Sequence, residues 1–311
     1  MQPLFCLKST LLTIVFLSQT VTAEEDKKHE AGDTFKDCEE CPEMVVLPVP
    51  GTFNVGFEDF DEKKRRRLVS RPQEITINYQ FAVGKFELLA SEYDLCAREG
   101  ACRPEASHSI NTPKTNKYPV VGLSGNDAKD YVAWLSKKTG KPYRLLSATE
   151  WEFAAKGKTT TKYWWGDDYI PNMAICNDCT DLQLLAEEGV GITKSFTINR
   201  SSSKSIASEF VPYTTAGLQE LVKPNLFGLY FMYGNAQEIV EDCFEWPVPA
   251  LPTDGSAYQA DPDCVAVITK GQSFMTLKNR INPTAVGPTN KVSRNKDAID
   301  QGTRIALTIS Q

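Results

Sequence analysis

Histidine is nearly missing from this 311-residue chain, with only His29 and His108 present. Zinc sites built on two or three histidines are thereby nearly excluded, as is any site that needs a histidine cluster. A Ser-His-Asp triad has no footing either. His29 lies in a charged stretch, and His108 lies among Pro and Asn with no nucleophile signature beside it. There is no excess of positive charge: 34 Lys and Arg face 40 Asp and Glu, a formal charge of −6. A general nucleic-acid binder needs a basic surface to neutralise phosphates, so nucleic acid is not an expected partner. No glycine-rich loop of the phosphate-cradling kind occurs. No apolar run reaches the roughly 20 residues that a bilayer span requires.

One short apolar run does occur, Leu11–Leu17, behind the single charge of Lys8 and ahead of the small-residue ending Val21-Thr22-Ala23. This is the pattern of a signal peptide over residues 1–23. The expectation is an exported protein, periplasmic or secreted, with no membrane span after cleavage. The sole cysteine of that segment, Cys6, precedes the apolar run, so a lipid anchor is not expected. Eight cysteines remain, in close couples: Cys38 with Cys41, Cys96 with Cys102, Cys176 with Cys179, and Cys243 with Cys264. An even number in an exported chain suggests disulfides. Eight cysteines permit roughly a hundred pairings, and the local one is chosen on proximity alone. The two CxxC couples leave a zinc site open as an alternative. A redox CxxC is disfavoured, because neither couple opens a helix after a strand.

Residues 24–37 are polar and charged and read as a flexible lead-in to one domain over 38–311. Met44–Gly51 reads as a short buried strand ending in a turn, and 75–87 as a second strand. The charge run at 59–67 reads as a solvated loop, with an anion-binding patch as the alternative. Helix signals occur at Ser91–Arg98 and more strongly at Gly125–Thr139. In the latter, Ala128, Tyr131, Val132 and Leu135 form one apolar face and Gly140 stops the helix. Ser147 and Glu150 have capping-box spacing, which predicts a helix over 148–156. Residues 180–222 lack clear periodicity and read as a long surface insertion. Within it, Asn199-Arg200-Ser201 matches a glycosylation acceptor, relevant only in a eukaryotic secretory route.

Several stretches together resemble the formylglycine-generating enzyme, or sulfatase-modifying factor, family. They include Cys41–Pro48, Val83–Glu87 and Lys117–Val121. The most specific is Thr139–Asp168, which contains KPYRLLSATEWEFAAKG and YWWGDD. Phe227–Cys243, Thr269–Phe274 and Gly302–Thr308 follow in the family's order. The resemblance implies an α+β, irregular C-type-lectin-like fold with a twisted antiparallel sheet and few helices. Its exported bacterial members also carry short-range cysteine couples.

The same resemblance implies a departure at the chemistry. The family's catalytic enzymes bind copper(I) through two thiolates five residues apart, where soft sulfur suits the soft ion. Those positions align here with Thr276 and Ile281, and no cysteine follows Cys264. Copper is therefore not expected. The family's iron-dependent branches rely on histidine clusters, which this chain lacks. Aromatic positions depart too: Gly125, Gln237 and Phe274 stand where relatives have Trp, and Thr303 where they have Phe. Ser273, Asn235, Glu238 and Arg304 remain. Ser273, Glu238 and Arg304 are the candidates for any residual catalysis, yet Asn235 and Glu238 could equally satisfy buried backbone groups, and Arg304 could pair with a carboxylate. The resemblance also implies a structural calcium ion, with backbone oxygens of Gly234 and Ala236 and the carboxylate of Glu238. Phe231 stands where a side-chain oxygen ligand belongs. The function expected is binding or scaffolding of a protein or peptide partner. The alternative is an oxidoreductase that acts on a peptide or metabolite without the thiolate pair.

Overall fold

Two of the three helices begin and end where their capping residues dictate. The computed structural model describes residues 29–56, 72–104, 118–171, 173–176, 179, 222–245, 249–259, 264–277, 281, 287–290 and 300–310. The expected signal segment, the charge run at 59–67, His108, the glycosylation-like motif at 199–201 and all of the expected insertion except Val222 lie outside these residues. Helix α1 covers Ala90–Arg98, α2 Gly125–Thr139 and α3 Ala148–Lys156. Ser124 and Ser147 each accept a hydrogen bond from the backbone three residues on. Asp127 and Glu150 return the favour to the cap backbone, so orphan N–H groups are satisfied at both starts. Gly140 and Gly157 end α2 and α3 at φ 72° and 60°, a left-handed conformation that costs glycine nothing.

The first sheet has five strands in the order β1 (Thr34–Phe35), β2 (Met44–Val46), β5 (Gln80–Gly84), β11 (Ile305–Ser310) and β6 (Tyr143–Leu145), all antiparallel. Strand side chains alternate between faces, and here both faces are buried. Met44, Val46, Ala82, Ile305 and Leu307 pack with α1 and α2. Val45, Phe81, Val83 and Ala306 pack with α3. The stretch expected as one strand over 75–87 is two, because β4 (Gln73–Ile77) pairs with β3 (Gly51–Val55) in a separate ribbon. The expected flexible lead-in is ordered at its end. Thr34 and Phe35 pair with β2, and Asp37 accepts hydrogen bonds from Lys141 Nζ and Tyr143 Oη.

The second sheet runs β10 (Gln301–Thr303), β7 (Gln237–Cys243), β8 (Ala266–Lys270), β9 (Gly287–Asn290). Its β10–β7 pair is parallel, unlike the other pairs of both sheets. Only Arg304 separates β10 in this sheet from β11 in the first. All four disulfides chosen on proximity are formed: Cys38–Cys41, Cys96–Cys102, Cys176–Cys179 and Cys243–Cys264.

Candidate functional site

Arg304 sits at the joint between the two sheets, and its surroundings decide what the family-like segments can do. The parallel register pairs Gly302 with Glu238 and Thr303 with Ile239. This brings the Arg304 guanidinium onto the Glu238 carboxylate, with Nε and Nη2 donating to Oε1 at 3.0 and 2.8 Å. Nη1 donates to the Gly84 carbonyl at the end of β5, and Nη2 also donates to that of Tyr230. Trp151 of α3 donates from Nε1 to Glu238 Oε2 at 2.6 Å. Arg304 and Glu238 are both fully buried. A buried carboxylate so enclosed is costly to build and costlier to break, since removing one partner strands the other charge.

A third charge joins them. Glu87 is buried and accepts hydrogen bonds from Asn235 Nδ2 and the Ala236 backbone N–H. Burial pushes its pKa up to about 8; Arg304 opposes that shift and Glu238 adds to it. Burial and the neighbouring Glu238 carboxylate both favour the protonated form of Glu87, while the Arg304 guanidinium opposes it. Asn235, at φ 59°, has no partner for its Oδ1 among the described residues. Gly234 beside it is required: a Cβ there would lie 1.7 Å from the Ile175 carbonyl oxygen.

Next to this group lies a second buried ion pair, Lys270 Nζ to Glu152 Oε1 at 2.6 Å, both residues buried. The Lys270 ammonium lies 5.7 Å from the Trp151 ring, so that one indole touches both pairs. Asp242, also buried, caps α3 by accepting from the Ala148 N–H and holds the Tyr258 N–H. Burial raises its pKa to about 7.

Of the three catalytic candidates, the structure joins Glu238 and Arg304 and places Ser273 elsewhere. Ser273 is fully buried, donates from Oγ to Asp300 Oδ2 at 2.5 Å and stands in a turn closed by Thr276. Gln237 donates to the same Asp300 carboxylate. The pairing of Arg304 with a carboxylate follows the structural reading of the sequence. Glu87, Glu152, Asp242 and Asp300 were not singled out by sequence. Glu87 is a lone carboxylate in an apolar window, and Glu152, Asp242 and Asp300 stand close to Glu150, Glu241 and Asp297; neither pattern carries partner information.

Neither implied metal fits these residues. Of the two positions aligned with the copper thiolates, Ile281 is packed in the core and Thr276 makes a backbone turn, so neither offers a soft donor. For calcium, Glu238 already receives Arg304 and Trp151. Phe231 fills an apolar cluster with Val121, Ile175 and Phe274. A calcium shell needs six to eight oxygens, and a guanidinium bound to the proposed carboxylate ligand works against the ion. Of the calcium set expected at Gly234, Ala236 and Glu238, the one carboxylate is thus engaged by Arg304 and Trp151. Among the described residues no group of three or more His, Cys, Asp or Glu is placed to hold a metal.

Ser273, Glu238 and Arg304 line none of three clefts formed among the described residues. One, of about 410 Å³, is lined by the half-buried Arg144 and the buried Glu150, whose two hydrogen bonds are both 2.7 Å, with Tyr79 donating to Glu150. The largest, of about 920 Å³, lies between the β3–β4 ribbon and the end of α3.

Comparison with known proteins agrees with this architecture. A sulfatase-modifying factor enzyme 1-like domain model matches residues 30–309. The formylglycine-generating enzyme of Thermomonospora curvata is 29% identical over 184 residues, 58% of this chain and 52% of that protein. An inactive C-alpha-formylglycine-generating enzyme 2 of Bos taurus is 44% identical over 57 residues, 18% of this chain and 17% of that protein. The matched segments thus span about half or less of these curated relatives. Among solved structures, PvdO from Pseudomonas aeruginosa has a TM-score of 0.62 at 27% identity, covering 90% of this chain and 99% of its own. Treponema denticola variable protein 1 has a TM-score of 0.57 at 16% identity, covering 89% and 98%, a likeness of fold. With a domain match from residue 30 to residue 309, this chain belongs to the sulfatase-modifying factor, or formylglycine-generating enzyme, family.

Proposed function

We propose that this chain is an exported member of the family that binds or scaffolds a protein or peptide partner and does not generate formylglycine through copper. The observation that carries the reading is at the two aligned metal positions, where a buried isoleucine and a turn-forming threonine stand. The polar residues retained from the family's motifs are engaged within the fold: Glu238 with Arg304 and Trp151, Ser273 with Asp300, and Asn235 with Glu87. An inactive relative from Bos taurus gives the family a precedent for a member without that activity. Export is supported by the apolar leader at 11–17 and by four disulfides, which belong to oxidising compartments.

The alternative, an oxidoreductase built on Glu238, Ser273 and Arg304, draws no support from this geometry, since all three are buried away from the described clefts. The test is incubation of the purified, oxidised chain with copper(I), dioxygen and a sulfatase-type peptide carrying its cysteine. The expected result is no dioxygen uptake and no aldehyde on the peptide by mass spectrometry. Aldehyde formation would overturn the reading.

A further inference from the structure

The cleft of about 920 Å³ between the β3–β4 ribbon and the end of α3 is built differently from the charged centre. Its volume falls in the range of small-molecule sites. Phe53 and Phe153 give it an aromatic side, their ring centroids 5.1 Å apart. Lys156 and Lys158 flank that side, and Glu74 is the one carboxylate among the described lining residues.

Lys156 is half-buried. Its Nζ donates to the carbonyls of Asn54 and Gly56, both at 3.3 Å, and among the described residues no carboxylate lies within ion-pair distance of it. The nearest help comes from Glu152, but that carboxylate is already held by Lys270 at 2.6 Å and by the Gly56 N–H at 2.8 Å. Burial lowers the Lys156 pKa; Glu152 raises it and Lys270 lowers it further. Among the described residues the half-buried ammonium thus has backbone carbonyls, and no carboxylate at ion-pair distance, in exchange for the water it has lost. Lys158 is exposed, at φ 70°, and its ammonium lies 6.0 Å from the Phe227 ring. An anion entering the cleft would restore what Lys156 lost, in a setting where a charge-assisted hydrogen bond is stronger than in water.

We propose that this cleft binds a small organic anion with a flat apolar body, its ring against Phe53 and Phe153 and its acid group at Lys156 and Lys158. The cleft shares no lining residue with positions 276 and 281, so the proposal is independent of the fate of copper chemistry.

The test is calorimetric titration of the full, oxidised chain with 1-naphthalenesulfonate. The neutral 1-naphthalenesulfonamide supplies the ring without the charge, and inorganic sulfate the charge without the ring. The sulfonate should bind saturably at one site, with the amide and sulfate each about tenfold weaker or more, a difference of roughly 1.4 kcal/mol. Lys156→Met should bring the sulfonate down to the level of the amide. Lys158→Ala, at an exposed position, should weaken the sulfonate and leave the amide unchanged. It decides the matter if Lys156→Met does not fold. Equal binding of sulfonate and amide, absence of binding, or wild-type affinity in Lys158→Ala would overturn the proposal.

Discussion

Two regions of this molecule carry lysine, arginine and carboxylate in apolar surroundings, and they use them in opposite ways. At the joint of the two sheets, Arg304 and Lys270 each meet a buried carboxylate and no described cleft reaches Glu238 or Arg304. At the end of α3, Lys156 and Lys158 line a large cleft, and among the described residues neither has a carboxylate partner. The contrast teaches that the retained family residues need not mark a retained reaction. Arg304 ties β5, β7 and the Tyr230 loop together at the point where the chain passes from one sheet to the other. Selection for folding alone is a sufficient reason to keep it.

The comparison breaks most visibly if charges at the joint can be removed cheaply. Arg304→Met should cost about 3–5 kcal/mol, because it leaves Glu238 buried without its cation, and denaturant unfolding would measure it. A loss near zero would mean that Glu238 reaches water or another cation, against the contacts described.

The pH dependence is the next largest effect. The folded-state pKa of Glu87 is raised to about 8 from 4.5, so the folded protein holds a proton that the unfolded chain has released between those values. Its contribution to stability is therefore full below about pH 4.5, falls as pH rises towards 8 and is flat beyond. Glu92 and Asp242, each raised to about 7 by burial, add declines of the same sign. Glu87→Gln isolates the first: unfolding series from pH 5 to 9 should show the variant gaining on the parent up to about pH 8. Asn235 can accommodate the amide by turning its own and offering the unpartnered Oδ1. Parallel pH profiles for variant and parent would contradict the assignment.

Trp151→Phe should cost about 1–3 kcal/mol by taking the indole donor from Glu238, again read from unfolding curves. At the bottom of the series, Lys158→Ala at the cleft should stay within about 0.5 kcal/mol of the parent, as exposed substitutions do. A cleft lysine as costly as Arg304 would erase the distinction between the two regions.

Local signals were legible in the sequence where one residue decides the outcome. Gly140 ends α2, Ser147 and Glu150 open α3, and short spacing pairs the cysteines. The split of 75–87 into β4 and β5 was not legible, because apolar alternation continues on both sides of Asn78 and only the pairing partners differ. Nor was the parallel β10–β7 pair, which depends on where residues 301–303 arrive after a long excursion. At the site, the sequence pointed to Glu238 and Arg304 but not to Glu87 or to Lys270 with Glu152. Glu87 and Asn235 are 148 positions apart and Lys270 and Glu152 118, and no local pattern carries such a pairing.

The most direct test of the central claim is the copper(I) affinity of the parent chain, measured by competition with a colorimetric chelator beside the double variant Thr276→Cys, Ile281→Cys. The account predicts that the parent leaves copper(I) with the chelator and that any gain appears only when the thiolates are supplied. Stoichiometric, tight copper(I) binding by the parent would contradict it, because a ligand set would then exist apart from positions 276 and 281.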